Sequence, residues 1–236
     1  MVIGAVIVGA GQGQRLGAEA PKCLVRIDGI SLLLMAAWPF QKARALEEVV
    51  LVVPPGTEDE VRQAVSRTGF TAVRSVVAGG DRRQDSVLAG VKALSSEIDR
   101  VLIHDGARPL LSVGLVERLI EALRSAPAVT AALPVADTLH HNVDGYAAPG
   151  PERMDLIVAQ TPQGFERKLL MEAFQNAEKG CLTTTDEATL VRETMGIQAR
   201  LIPGEVGNIK ITQPGDLTFY NQQLRARAKE IGRPER

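Results

Sequence analysis

Gly9-Ala10-Gly11-Gln12-Gly13-Gln14-Arg15-Leu16-Gly17-Ala18-Glu19-Ala20-Pro21-Lys22 is the stretch whose reading decides the fold. It follows an apolar run, Val2 to Val8, short enough for a strand buried on both faces and too short for an ordinary helix. A strand therefore feeds a glycine-rich loop. Such a loop admits positive φ and brings backbone N–H groups close to an anion, and two cations, Arg15 and Lys22, stand within it. This combination suggests a polyphosphate site. A solvated surface turn accounts for the glycines alone equally well.

Two known phosphate loops can be tested by spacing, and both fail. The P-loop needs Lys followed by Ser or Thr, whereas Lys22 is followed by Cys23. The dinucleotide fingerprint needs glycine where Gln14 stands, and the second core strand, Val49 to Val53, runs into Pro54-Pro55 where a ribose-binding acid belongs.

The 236 residues are 45% hydrophobic and 23% charged, with a formal net charge of −1. That length suits one α/β domain, and the near-neutral charge lacks the broad positive field of a general nucleic-acid binder. No apolar run approaches the ~20 residues of a membrane span, and the N-terminus has no secretory-signal pattern. Cys23 and Cys181 have no metal or disulfide spacing, which fits a reducing cytoplasm.

Strand-like runs alternate with amphipathic segments, so the expected fold is α/β, a Rossmann-like mostly parallel twisted sheet flanked by helices. Leu24 to Ile27 is read as a short strand, and Ser31 caps a helix to Lys42 that Pro39 should kink or interrupt. Thr57 with Glu60, and Thr184 with Glu187, stand at capping-box spacing. Gly79-Gly80 turns into a helix start that carries Arg83 and Ser86. Arg100 to Asp105 is a buried strand with an acid at its carboxyl end; Asp105 could hold a magnesium ion, orient a hydroxyl or simply cap the next turn. His104 reads as a packing residue. Residues 137–153 break the alternation and read as a protruding β-arm with Asp144-Gly145 at its tip, embracing a second subunit. The closing strands are expected at Gln198 to Ile202 and Asn208 to Thr212, before a last helix opened by Pro214. All of this reads as one domain, 1–236.

Motifs from one end of the chain to the other then fall into a known order. Gly11-x-Gly13-x-Arg15, Pro21-Lys22, Gly80-x-x-Arg83-x-x-Ser86, His104-Asp105-x-Ala107-Arg108-Pro109, Asp137-Thr138, Thr161-Pro162-Gln163, Thr185-Asp186-Glu187 and Asn208-Ile209-Lys210 resemble the 2-C-methyl-D-erythritol 4-phosphate cytidylyltransferases. The resemblance implies a nucleotidyltransferase that joins CTP to methylerythritol phosphate with magnesium or another divalent cation. Arg15, Lys22, Arg153 and Lys210 would be catalytic. Gly9, Ala10, Gly11, Gln12, Gly13, Gly80, Arg83, Ser86 and Asp105 would hold the nucleotide, and Arg108, Thr138, Arg153, Thr161 and Thr185 the acceptor. Asp105 would meet the metal, directly or through water.

The family is typically a homodimer whose arm completes the partner's site, which would make Thr138 and Arg153 donors across the interface. Gly9, Cys23, Gly106 and His140 depart from the common pattern. The chain ends soon after its last helix, so the resemblance is to the form without a fused cyclodiphosphate synthase. A sister enzyme acting on ribitol 5-phosphate and a nucleotide-binding regulator without turnover are the alternatives. The chemistry asks for no general base, because a phosphate monoester is already anionic near neutral pH. It asks for cations placed where charge develops.

Overall fold

The computed structural model describes residues 1–11 and 21–232. Strand β1 (Ile3–Val8) is followed by a 3₁₀ turn over Lys22–Leu24 and a small hairpin, β2 (Arg26–Ile27) and β3 (Ile30–Ser31), around Asp28-Gly29. The strand expected over Leu24 to Ile27 is thus shared between that turn and one arm of the hairpin. Next come α1 (Leu32–Lys42), β4 (Leu46–Val53), α2 (Glu58–Thr68), β5 (Val73–Ala78), α3 (Arg83–Ala93), β6 (Arg100–Asp105), α4 (Val113–Ala122) and β7 (Ala128–Pro134). The chain continues through β8 (His140–Val143), β9 (Tyr146–Pro149), β10 (Ile157–Glu166), α5 (Arg167–Lys179), α6 (Glu187–Met195), β11 (Arg200–Pro203), α7 (Pro214–Phe219) and α8 (Asn221–Ile231).

Among the described residues, the main sheet runs β11-β7-β10-β6-β1-β4-β5. β1 pairs parallel with both β4 and β6, β4 with β5, and β11 with β7. β10 alone in this sheet runs antiparallel to its neighbours, β6 and β7, because it returns from the excursion after β7. Chain order reverses between β1 and β6, and the crevice beyond their carboxyl ends is where open α/β sheets bind ligands.

Alternation along β1 explains the layers. Ile3, Ala5 and Ile7 pack on one face with Leu33, Phe40 and Leu115, while Val6 packs on the other with Val91, Phe165 and Val191. Each fully buried aliphatic side chain of this kind is worth roughly 1.5–3 kcal/mol, so both faces anchor the strand ends that carry the site.

Several local expectations are corrected. α1 runs unbroken through Pro39, and the Met35 carbonyl that the proline cannot serve lies 3.4 Å from Arg227 Nη1. Thr57 turns its hydroxyl back to the Pro54 carbonyl (2.7 Å) and makes no side-chain cap on α2. At α6 the cap is Asp186, which accepts from Thr189 N (2.9 Å), while Thr184 donates to the Asp186 carbonyl. Asn208 to Thr212 forms no strand. Its backbone groups go to neighbouring loops, as when Ile211 N donates to Ala107 O at 2.8 Å.

The excursion after β7 holds a two-stranded hairpin, β8 with β9, outside the main sheet. Asp144 and Gly145 form its tip, both at positive φ (52° and 88°), the conformation an Asp-Gly turn favours. Val143, Tyr146 and Met154 are exposed there, Tyr146 at 80% and Met154 at 90%.

Candidate active site

Asp105 closes β6 at the crevice and is buried. Its Oδ1 faces the Arg83 guanidinium, with Nη2 at 3.2 Å and Nε at 3.4 Å. Its Oδ2 meets Lys210 Nζ at 2.9 Å, with Arg108 Nε at 3.7 Å. Burial would raise the Asp105 carboxyl, but the charges of Arg83, Lys210 and then Arg108 outweigh it and hold the group well below the usual carboxylate range. Asp105 is therefore an anion under three cations.

Each cation arrives on a different segment. Arg83 opens α3, and its remaining edge bonds Glu187 Oε1 through Nη1 at 2.6 Å. Arg108 follows β6, and its Nη1 donates to the Asn208 carbonyl at 2.8 Å. Asn208 is fully buried and donates through Nδ2 to the Thr161 carbonyl at 2.7 Å. Together with the Ile211–Ala107 bond, these contacts hold Lys210 over Asp105 without a strand ladder.

Beneath the carboxylate lies a neutral hydrogen-bond chain. A carbonyl only accepts, so His104 Nε2 carries the proton that goes to Arg108 O (3.1 Å). Nδ1 then accepts from the Thr161 hydroxyl (3.0 Å), whose oxygen accepts in turn from Asp105 N (3.0 Å). Burial pushes the His104 imidazole down to about 4 despite the charge of Asp105 nearby, in keeping with this neutral tautomer. His104, read as packing, also fixes the backbone of the central acid. Thr161, expected to line the acceptor side, has its hydroxyl engaged from both directions.

The turn that leads into Arg83 is built by glycines. A Cβ on Gly79 would lie 2.2 Å from Ala10 Cβ and 2.7 Å from Ser86 Oγ, so only glycine lets the turn before α3 lie against the β1 loop. Gly80 N donates to Ser86 Oγ at 3.1 Å, and Ser86 is buried, not the surface hydroxyl its sequence setting allows. Ala10, Gly80 and Ser86 thus meet in one corner. Next to Lys22, the buried Cys23 thiol donates to the Gly9 carbonyl at 2.7 Å. The N–H groups of Thr212 and Gln213 hold the Asp216 carboxyl below its ordinary value, and Lys22 adds to the effect. Lys22 thus lies near enough to Asp216, at the start of α7, to act on its charge. Gln12, Gly13 and Arg15 lie outside the described residues.

The family model for IspD, 2-C-methyl-D-erythritol 4-phosphate cytidylyltransferase, matches residues 3–226. The chain belongs to this family. A relative from Streptomyces avermitilis named 2-C-methyl-D-erythritol 4-phosphate cytidylyltransferase is 41% identical over 97% of this chain and 94% of its own. One of the same name from Pelotomaculum thermopropionicum is 37% identical over 95% of each. Among solved structures, the 2-C-methyl-D-erythritol 4-phosphate cytidylyltransferase from Thermus thermophilus superposes with a TM-score of 0.79 at 32% identity, covering 95% of this chain and 100% of its own. The 4-diphosphocytidyl-2C-methyl-D-erythritol synthase from Anaerococcus prevotii gives 0.80 at 29% identity, covering 95% and 98%.

Within this cytidylyltransferase, the fold brings Arg83, Asp105, Arg108, Thr161 and Lys210 together. It leaves Thr138 and Arg153 at the exposed base of the arm, where Arg153 Nη1 donates to the Ala136 carbonyl. Among the described residues, no hydrogen bond or ion pair joins either to Asp105. Thr185 is exposed, just before the α6 cap.

No group of three or more His, Cys, Asp or Glu side chains among the described residues is arranged to hold a metal. Both Asp105 oxygens already face cations, so these residues fit a divalent ion only as one carried on a triphosphate. Sequence reasoning assigned no site role to Glu187, read only as the capping-box partner of Thr184 at a helix start. It turns inward, 2% exposed, to pair with Arg83.

Proposed function

We propose that this chain transfers the cytidylyl group of CTP to 2-C-methyl-D-erythritol 4-phosphate, giving 4-diphosphocytidyl-2-C-methyl-D-erythritol and pyrophosphate. The observation that carries this reading is the buried aspartate at the switch point that gathers Arg83, Arg108 and Lys210, with the glycine-walled corner on the turn that leads into Arg83. The corner suits a triphosphate; the cation group suits the phosphate of the acceptor. A phosphate monoester oxygen, already anionic because its second pKa is ~6, attacks the α-phosphorus of CTP as the bond to pyrophosphate breaks.

The protein's part is to bring two polyanions together. Lys22 with Arg15 stabilises charge on the α-phosphate, and Lys210 with Arg108 positions the acceptor phosphate. Asp105 keeps these side chains aimed at the mouth and leaves one positive charge in excess once Glu187 is counted. A magnesium ion bound to the triphosphate would neutralise its charge and orient its oxygens. Asp105 would face it, through water if not directly.

We assign the arm over 137–153 to a homodimer interface, through which Thr138 and Arg153 enter the partner's site. The exposed apolar side chains of the hairpin support this, as do the exposure of Thr138 and Arg153 and the lack, among the described residues, of any hydrogen bond or ion pair from either to Asp105. The unpaired cysteines fit a cytoplasmic enzyme, and no helix among the described residues is long and apolar enough to cross a membrane. Pyrophosphate release from CTP with methylerythritol phosphate and, in parallel, ribitol 5-phosphate tests the proposal. Turnover with the first and a much lower kcat/KM with the second supports it; preference for ribitol 5-phosphate assigns the sister activity, and no release with either leaves a nucleotide-binding regulator.

A further inference from the structure

Glu187 is a buried carboxylate to which the chemistry above gives no work. It is 2% exposed at the first turn of α6, its Oε1 bonds Arg83 Nη1 at 2.6 Å, and its Oε2 is buried with no hydrogen-bond partner among the described residues. A buried ion pair is weak evidence of a stabilising role, since an apolar pair of similar volume often does as well. Burial pushes the Glu187 carboxyl up, and Arg83 opposes that shift.

The guanidinium that Glu187 grips has its other edge on Asp105 Oδ1, and Asp105 Oδ2 in turn holds Lys210 at 2.9 Å. Charges of alternating sign therefore run in a line from the buried end of α6 to the mouth. We propose that Glu187 is a positioning residue for the acceptor phosphate. By fixing one edge of Arg83, it confines the guanidinium to one Asp105 oxygen and leaves the other for Lys210. Without that grip, Arg83 is able to swing onto both Asp105 oxygens, and Lys210 loses the counter-charge that aims it. The backbone supports the arrangement: Glu187 N and Ala188 N both donate to Gln163 Oε1, at 3.2 and 3.1 Å, so α6 is tied to β10.

This inference rests on the assignment of Lys210 to the acceptor phosphate, and the test separates the two. Steady-state kinetics with CTP and methylerythritol phosphate are measured for wild type, Glu187→Gln, Arg83→Ala and the double variant, each with a thermal melt. A wild type without turnover defeats the functional assignment itself. With an active wild type, Glu187→Gln is expected to lower kcat/KM for the polyol phosphate roughly tenfold through misplacement of the cation. In the Arg83→Ala background, the same change should add less than about twofold, because the path through Arg83 is already cut. An equal loss in both backgrounds, or a lower melting temperature with unchanged kcat/KM, overturns the proposal. Should Glu187→Gln fail to fold, Arg83→Lys serves instead: a point charge cannot span two carboxylates on opposite edges. It should show a comparable loss, and wild-type kinetics in it would equally refute the idea.

Discussion

Replacing Lys210 by Gln separates the two things an ion pair can do. The Lys210 ammonium lies 2.9 Å from Asp105 Oδ2, yet its side chain is 44% exposed, whereas the Asp105 side chain is 10% exposed and keeps Arg83 on its other oxygen. A half-exposed partner of an already paired carboxylate contributes only about 0–1 kcal/mol to stability after solvent screening. For a domain of this size, that lowers Tm by no more than about 4 °C. The same charge, facing a phosphate in the transition state, is worth on the order of 10²–10³ in rate by comparison with single oxyanion-hole donors. The variant should therefore melt almost like wild type in a calorimeter and lose roughly two to three decades of kcat/KM for the polyol phosphate in a pyrophosphate-release assay. Activity within about threefold of wild type, or a Tm loss above about 10 °C, would refute the reasoning; the first removes Lys210 from the chemistry and the second makes it structural.

Other expectations follow from the same geometry. Cys23 donates to Gly9 O, and burial pushes its thiol up to about 12, so a brief maleimide pulse at neutral pH should label exposed Cys181 alone until denaturant is added. Cys23→Ala should cost about 1 kcal/mol by the lost hydrogen bond, read as a fall in the denaturation midpoint, while Cys23→Ser keeps the donor and most of the stability. His104 should produce a pH slope. Its folded pKa of about 4 lies below the ordinary value of 6.5, so the unfolded chain binds the extra proton between these limits. Stability falls as pH drops through that window, by about 3 kcal/mol from this group, and urea titrations of His104→Gln should show a shallower decline. Sedimentation velocity should find the proposed dimer for wild type and a monomer without turnover when residues 140–149 are deleted; a monomeric wild type or an active monomeric variant would remove the arm from the site.

Much of the framework of the candidate site was legible because its signals are local. An apolar run meeting glycines, an acid at a strand end and turn glycines before a helix each report the backbone they sit in, and β1, β6 and the start of α3 fall where those signals place them. Competition among nearby polar groups was harder to read. Thr57 and Thr184 had the right spacing for capping boxes, but Pro54 O and the Asp186 backbone took their hydroxyls, and Asp186 became the cap. Glu187 was out of reach of sequence reasoning, since its burial depends on Arg83, a residue 104 positions away. The segment carrying Lys210 looked like a strand from its composition, but its hydrogen bonds go to loops at Ala107 and Arg108. Gly9, Cys23 and Gly106, three separate oddities along the chain, turn out to be neighbours: a Cβ on Gly9 would lie 3.1 Å from Cys23 Sγ, and one on Gly106 would lie 3.3 Å from Gly9 Cα.

The central claim is that an acceptor phosphate oxygen attacks CTP directly, with cations and no general base supplying the catalysis. It is tested most directly by supplying methylerythritol phosphate labelled with oxygen-18 on its non-bridging phosphate oxygens and weighing both products by mass spectrometry. The account predicts that every label stays in the 4-diphosphocytidyl-2-C-methyl-D-erythritol product and that pyrophosphate is unlabelled. Label in the pyrophosphate, or solvent oxygen in the nucleotide product, would contradict it.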